Sequence, residues 1–270
     1  MKKERLDVLL VERGLYETRE KAKAAVMAGL VQVAGERCDK PGTKFGEDVA
    51  ITVKGELHPY VSRGGLKLEK ALRVFSLDLD GKVMMDIGSS TGGFTDCALQ
   101  NGARKVYAID VGYNQLAWSL RKDERVVVME RTNFRHMDPD SFTDERPDAA
   151  TIDVSFISLK LILPVLYRFL QPDGDVIALV KPQFEAGKEN VGKNGIVRDP
   201  RIHESVLIDI GLFAKELGFS LEGLSYSPIT GGEGNIEFLL HAKKADGGFT
   251  SEQWPEQVSE IVSQAHEELK

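Results

Sequence analysis

Between residues 82 and 217, strand-length apolar runs alternate with helical stretches. This rhythm constrains the fold more than any other feature of the chain. The runs cover residues 83–87, 105–110, 126–129, 148–153 and 176–181, and helical periodicity appears at 94–101, 115–122, 159–170 and 202–217. Strands separated by helices must cross over and lie parallel, and burial on both faces makes them continuously apolar. Residues 221–226 and 236–243 have only a Gly-rich link between them, so they read as an antiparallel hairpin. The expected fold is α/β: a Rossmann-like, mostly parallel, seven-stranded sheet ending in an antiparallel hairpin.

The first of these strands runs into Asp86-Ile87-Gly88-Ser89-Ser90-Thr91-Gly92-Gly93-Phe94 and then opens a helix. Glycines there allow a tight turn and let a ligand lie against bare backbone. The spacing is neither that of a dinucleotide loop nor, without a following Gly-Lys-Ser/Thr, that of a P-loop. Such a loop suits a cofactor without phosphate, whose carboxylate and amine meet backbone and Asp86; S-adenosylmethionine is one. Asp110 ends the second strand, 24 residues after Asp86, where a carboxylate accepts bonds from both ribose hydroxyls. Asn133 and Asp138, after the third strand, are candidates for reading the adenine edge, although Asp138-Pro139-Asp140 is also good turn chemistry.

The first sixty residues form a different kind of module. Leu6, Leu9 and Leu10 share one helical face that Gly14 terminates. Thr18 is a candidate N-cap for a second helix, with Ala22, Ala25 and Val26 on its apolar face and Gly29 at its end. Residues 30–33, 34–35 and 49–53 then read as short strands joined by Gly/Pro turns, giving a compact α+β unit. Lys2, Lys3, Arg5, Arg19, Lys21 and Lys23 are placed to face phosphates, with Glu17 and Glu20 among them.

Composition narrows the possibilities. With 270 residues, 42% hydrophobic and 29% charged, the chain can bury a sizeable core. No apolar run approaches the ~18–20 residues that cross a bilayer. Asp7, Glu12 and Arg13 interrupt any signal-peptide core after Met1-Lys2-Lys3, so a cytoplasmic protein is expected. Cys38 and Cys97 make neither a disulfide framework nor a metal cluster, and His58, His136, His203, His241 and His266 are scattered without zinc spacing. No metal is required. The net charge of −7 argues against a nucleic-acid partner on average, but residues 1–60 carry 11 Lys and Arg against 10 Asp and Glu. Local basic faces, not the mean, decide phosphate binding.

Four polar residues stand at strand and helix ends. Lys181 closes the apolar strand 176–180, where burial lowers an ammonium's pKa and favours a neutral base. Asp153 ends the neighbouring strand, at the carboxyl edge where open α/β sheets bind ligands. Glu237 follows Gly231-Gly232-Glu233-Gly234-Asn235 at the start of the last strand, and if that strand is antiparallel its start lies at the same edge. Lys67 lies on the helix leading into the sheet. Singly, each has an ordinary reading as a cap, surface charge or salt-bridge partner; together three of them are brought by topology to one edge.

The order Lys67, Asp153, Lys181, Glu237 resembles the tetrad of the FtsJ-like 2′-O-ribose methyltransferases. The text around it resembles the TlyA (hemolysin A) family: Ser62-Arg63-Gly64-Gly65, the loop 86–94, Asp153-Val154-Ser155-Phe156-Ile157-Ser158-Leu159 and Val180-Lys181-Pro182-Gln183-Phe184-Glu185. The N-terminal module resembles the αL RNA-binding domain of small-subunit ribosomal protein S-four, through Arg5-Leu6-Asp7, Thr18-Arg19-Glu20-Lys21-Ala22, the run 29–35 and Ile51-Thr52-Val53.

The resemblance covers residues 1–245 and implies a SAM-dependent methyltransferase acting on cytidine 2′-hydroxyls of ribosomal RNA. The implied layout is an S-four-type domain at 1–58, a linker at 59–64, a methyltransferase domain at 65–245 and an acidic C-terminal helix at 246–270. It implies Lys67, Asp153, Lys181 and Glu237 as catalytic residues. Cofactor binding falls to Asp86, Gly88, Ser89, Ser90, Gly92, Gly93, Phe94, Asp110, Asn133 and Asp138. RNA contacts fall to Arg5, Arg19, Lys21, Lys23 and Arg63, and the partner is ribosomal RNA or a ribosomal subunit. Lys181 is read as base or proton-accepting steering group, Asp153 and Glu237 as positioners of the lysines, and Lys67 as support for the developing alkoxide. Other readings are a non-catalytic RNA-binding or ribosome-assembly factor, a small-molecule O-methyltransferase, and a membrane-active hemolysin. The last lacks a spanning segment and a basic amphipathic helix.

Overall fold

The structure, a computed structural model, describes residues 3–27, 29–54, 58–140, 142–231 and 234–269. Lys2 and the Gly232-Glu233 pair therefore lie outside the described residues. The chain divides into two compact units, 1–59 and 60–270.

The first unit holds β1 (Lys3–Arg5), α1 (Leu6–Glu12), α2 (Arg19–Met27), β2 (Val31–Val33), β3 (Glu36–Arg37), β4 (Lys44–Gly46) and β5 (Ile51–Val53). Leu6, Leu10, Ala22, Ala25 and Val26 pack on Val31 and Val33. Thr18 caps α2, its Oγ1 accepting the Lys21 amide at 3.2 Å. Gly14 (φ +67°) and Gly29 (φ +73°) follow the two helices in the left-handed region. The strands are shorter and more numerous than expected. Residues 34–35 turn β2 into β3, Val49 and Ala50 precede β5 rather than forming it, and β1 pairs with β4. Strands of two or three residues carry no apolar alternation to read.

The second unit follows the strand–helix rhythm. It runs α3 (Gly64–Val74), β6 (Val83–Ile87), α4 (Gly93–Gln100), β7 (Lys105–Ile109), α5 (Trp118–Arg121), β8 (Val126–Met129), β9 (Ala149–Ile152), α6 (Leu163–Phe169), β10 (Asp175–Val180), α7 (Pro182–Glu185), α8 (Pro200–Glu216), β11 (Ser220–Tyr226), β12 (Phe238–Lys243) and α9 (Trp254–Glu268). The sheet order is β11-β12-β10-β9-β6-β7-β8, parallel except that β12 is antiparallel to both neighbours. One face packs Met85, Tyr107, Ile152, Phe169, Ile210 and Trp254; the other packs Leu68, Met84, Phe94, Val106, Leu179 and Leu239. Burial on both faces explains the unbroken apolar runs.

Two helices depart from expectation. The stretch 115–122 is a single turn, α5, preceded by Ala117 in an extended conformation. The stretch 159–170 splits into a 3₁₀ turn, Leu159–Leu161, and α6, whose Pro164 sits in the first turn. The terminal helix α9 is part of the core: the Trp254 indole is fully buried and donates to the Leu207 carbonyl at 3.1 Å.

His203 of α8 holds two elements at once. Its Nε2 is 3.1 Å from the Val197 carbonyl and its Nδ1 3.0 Å from His266 Nε2 on α9. With Nε2 protonated to donate to Val197, Nδ1 accepts from His266, and a further proton there forces His266 to move its own proton to the other ring nitrogen. Burial is the largest cause that lowers the His203 pKa, from 6.5 to about 4, and His266 adds to it. The folded chain thus binds fewer protons than the unfolded one between those values, and stability falls as pH drops from 6.5 toward 4. The loss approaches ~1.4 kcal/mol per pH unit in that window. A His203→Gln chain, which keeps an Nε2 donor toward Val197, should lack this component; urea denaturation of both chains at pH 7 and pH 4.5 measures the difference.

Candidate active site

The glycine loop turns at the carboxyl end of β6. Gly88 (φ +85°) and Ser89 both donate their amides to the Ile109 carbonyl, at 2.8 and 3.1 Å. A side chain on Gly88 would overlap the backbone carbonyl of Asp153, so the loop passes directly against the end of β9. Gly93 opens α4 where a Cβ would come within 2.7 Å of the Gly65 amide, and this close approach lays α4 on the start of α3. Gly92 (φ +100°) abuts Leu116 and Leu120 and, unlike its neighbours, does not line the cavities below; its role is packing. Phe94 is buried and touches the larger cavity.

Asp86 is buried at the base of this loop. Its Oδ2 accepts from the Thr95 amide (3.0 Å) and hydroxyl (2.6 Å), and its Oδ1 from the Thr151 hydroxyl (3.0 Å). Burial pushes its carboxyl up to about 6 despite these donors. Asp86 thus ties the first turn of α4 to β9. Asp110 plays a comparable part at the end of β7: Oδ2 accepts the Ser90 amide at 2.8 Å and Oδ1 the Gly112 amide at 2.7 Å. Each oxygen keeps a lone pair for a ligand hydroxyl.

Two cavities open at this edge of the sheet. The smaller, about 480 Å³, has Asp110 and Asn133 among its lining and apolar walls from Ile109, Phe134, Ile157 and Ile162. The larger, about 750 Å³, holds Ser62, Arg63, Lys67, Asp153, Lys181 and Glu237. They share Gly88, Ser90, Asp153, Ser155 and Phe156. Asp138 is not brought there. It is exposed, its Oδ1 accepts the Asp140 amide at 3.0 Å as the turn reading of 138–140 expects, and Arg168 lies 3.9 Å away. Asn133 reaches the smaller cavity, while its Oδ1 also caps the following 3₁₀ turn through the Arg135 amide.

The four residues at strand and helix ends converge. Lys67 Nζ lies 2.7 Å from Glu237 Oε2 and 3.4 Å from Asp153 Oδ2, and Lys181 Nζ lies 2.5 Å from Asp153 Oδ1. The result is an unbroken chain of ion pairs, Lys181–Asp153–Lys67–Glu237. Both lysines are 8% exposed and Glu237 is 3% exposed. Burial pulls the Lys67 ammonium down, but Asp153 and Glu237 together outweigh it and leave its pKa raised, so Lys67 is a cation at neutral pH. Glu237 directly precedes β12, and the antiparallel course of β12 brings it beside the ends of β9 and β10.

Sequence reasoning gave no role to several neighbours. Ser155 Oγ sits 3.2 Å from Lys181 Nζ. Glu185 of α7 accepts from the Ser158 hydroxyl (2.6 Å) and the Leu159 amide (2.8 Å), fixing the loop that carries Asp153 and Ser155. Asn235 bonds the Val197 amide and the Gly195 carbonyl and holds the cavity wall at 195–197. Ser155 and Glu185 lie inside motifs that the sequence displays; their roles depend on which strand ends adjoin.

In the first unit, the expected basic contacts are partly engaged. Arg5 (3.0 Å) and Arg19 (2.9 Å) both pair with the buried Asp7. Burial pushes the Asp7 carboxyl up, but the two guanidinium hydrogen bonds and charges outweigh it and hold it low. Lys21 pairs with Glu17 one helical turn away. Lys23 is half-buried on the same helix, and Arg63, in the second unit, is exposed at the larger cavity.

A sheet of this order, with a glycine loop after its first strand and a ribose-spaced carboxylate after its second, defines a Rossmann-like methyltransferase. The chain belongs to the FtsJ-like methyltransferase family, whose model matches residues 60–244, and an S4 domain model matches residues 4–51. It is 63% identical to YqxC of Bacillus subtilis (strain 168), named as a candidate rRNA methyltransferase, over all of this chain and 96% of that protein. It is 44% identical to the 16S/23S rRNA (cytidine-2′-O)-methyltransferase TlyA of Mycobacterium tuberculosis, over 87% of this chain and 88% of that one. A solved Streptococcus thermophilus structure, described as a candidate hemolysin, matches 99% of this chain and 97% of its own at 57% identity and a TM-score of 0.78.

Gly88→Ala tests the loop geometry. Alanine at this φ costs ~1–2 kcal/mol before the overlap with Asp153 is counted. Urea denaturation should show a loss of at least that size, and calorimetry should show weakened S-adenosylmethionine binding. A chain of unchanged stability would mean that the loop does not press on β9.

Proposed function

We propose that this chain transfers a methyl group from S-adenosylmethionine to the 2′-hydroxyl of cytidine in ribosomal RNA. The observation that carries the reading is the continuous ion-pair chain of Lys181, Asp153, Lys67 and Glu237, buried except at Asp153, in a cavity that adjoins the glycine loop. The relatives named for cytidine-2′-O methylation supply the substrate class. The S4 match supports an RNA-docking role for the first unit, and action on ribosomal RNA implies work in the cytoplasm.

The smaller cavity fits the cofactor. Its apolar walls suit an adenine ring, Asp110 keeps acceptor capacity for ribose hydroxyls, and Gly88 to Ser90 offer bare backbone. When bound, S-adenosylmethionine supplies an already activated sulfonium methyl, so the protein needs alignment and a proton acceptor.

Lys181 fills the acceptor role when deprotonated: it takes the 2′-hydroxyl proton, and Asp153 at 2.5 Å holds the resulting ammonium in place. Lys67 remains charged and stabilises the negative oxygen as it develops. Glu237 fixes Lys67, and Asp153 links the two lysines so that both address one point. Asp86, bonded to Thr95 and Thr151, anchors the loop, and its Oδ1 keeps a lone pair at the cavity.

A hemolytic role finds no support in the fold. No helix among the described residues is long and apolar enough to cross a membrane.

Mapping 2′-O-methyl marks on ribosomal RNA, with and without the gene, tests the activity itself. Lys181→Ala should lower transfer ~10²-fold or more while S-adenosylmethionine still binds with unchanged affinity in calorimetry. Asp110→Ala should do the reverse, weakening the cofactor about tenfold, as losing a hydrogen-bonded carboxylate does. Wild-type rates with Lys181→Ala would remove the proton-acceptor assignment.

A further inference from the structure

Gln183 stands two residues beyond Lys181, on the short helix α7, and lines the same cavity as the four charged residues. It also borders a chamber of about 370 Å³ with Phe184, Gly187, Gly192 and Gly195. Its amide oxygen, Oε1, is buried and has no hydrogen-bond partner among the described residues. An amide carbonyl left so costs about 1–3 kcal/mol, and folded proteins rarely tolerate it without a reason. Other polar groups nearby are paired: Asp86 with two threonines, Glu185 with Ser158 and Leu159, Asn235 with Val197 and Gly195. Gln183 thus keeps an unspent acceptor in the wall between the cavity and the chamber.

The proposal rests on the 2′-O-methylation reading. If the reacting 2′-oxygen lies at Lys181, the base is carried on the adjoining ribose carbon, within reach of the chamber that Gln183 borders. The chamber's three glycines leave backbone bare and give width to a planar ring. Cytosine presents an exocyclic amine at its Watson–Crick edge, a donor, where uracil presents a carbonyl, an acceptor. We propose that Gln183 is the residue that selects cytidine: Oε1 accepts from the cytosine amine, and the base lies in the side chamber beside Phe184. Uridine would set its carbonyl against a buried carbonyl, and a site built around a hydrogen bond rejects the partner that lacks it.

The test uses the full chain and ribosomal subunits bearing either cytidine or uridine at the nucleotide found to be methylated. Wild-type enzyme should prefer cytidine by about tenfold or more in kcat/KM, the scale of one base-edge hydrogen-bond pair. Gln183→Met should lower kcat/KM on cytidine by about tenfold and leave uridine unchanged, so that the preference collapses. S-adenosylmethionine affinity should stay at the wild-type value. Gln183→Glu, which retains only acceptors, should keep the preference or sharpen it. General damage to the site would lower both substrates together and leave their ratio intact, and that result overturns the assignment. So does a Gln183→Met chain whose cofactor affinity falls while its base preference persists, which would give Oε1 to the cofactor's amine. Should Gln183→Met not fold, equal rates on the two substrates by Gln183→Glu overturn it equally. A wild-type enzyme that methylates no ribosomal nucleotide refutes the parent reading instead.

Discussion

Two lysines and two carboxylates set side by side, all but Asp153 buried, constrain the rest of this molecule. Removing a charge from water costs several kcal/mol, and a cluster of this kind repays that cost only when each charged group is met. Here Asp153 touches both lysines and Glu237 closes the chain on Lys67. Such a cluster is poor at stabilising a fold, because well-packed apolar residues do as well or better. The proposed function gives such a cluster a use: one fixed cation, Lys67, beside a lysine that accepts a proton once it has lost its own.

The sheet makes the cluster possible. Lys67 and Glu237 are separated by 170 positions, yet their side chains bond. Parallel strands β9 and β10 deliver Asp153 and Lys181 at their carboxyl ends, and antiparallel β12 delivers Glu237 from its beginning. A parallel last strand would have left Glu237 at the opposite edge. Glycines complete the arrangement by removing volume: at Gly88 the loop meets the end of β9, and at Gly93 the start of α4 meets α3, which carries Lys67. Around this frame the hydrogen bonds of Asp86, Asp110, Glu185 and Asn235 hold the loops in place.

Much of this was legible in the residues, for identifiable reasons. The strands of the second unit are buried on both faces, so apolarity alone reveals them, and the pattern of crossovers follows from what separates them. Asp153, Lys181 and Glu237 were legible because topology assigns strand ends to edges; Lys67 joined them only through the family resemblance. The short strands of the first unit were not, because two or three residues cannot show a period. The helix expected at 115–122 shrank to one turn. Its neighbours Leu116 and Leu120 pack against the glycine loop at Gly92, and tertiary contact there outweighs helical propensity. Asp138 could be read either as a ligand or as a turn residue, and only its position beside Arg168, away from the cavity, decides between them. The basic residues of the first unit looked equally free in sequence; Arg5 and Arg19 proved to be pinned by Asp7, a residue whose burial no local pattern announces.

The sequence by itself, then, determined an α/β chain with a glycine loop, a ribose-spaced acid and three polar side chains at strand ends, because hydrophobic rhythm and glycine placement are local properties; the resemblance added Lys67. Tertiary structure alone decided which charges meet, that Lys67 keeps its proton, and that Gln183 keeps a buried acceptor unspent. Those outcomes depend on distances and solvent exclusion between segments far apart along the chain, and no local pattern encodes them.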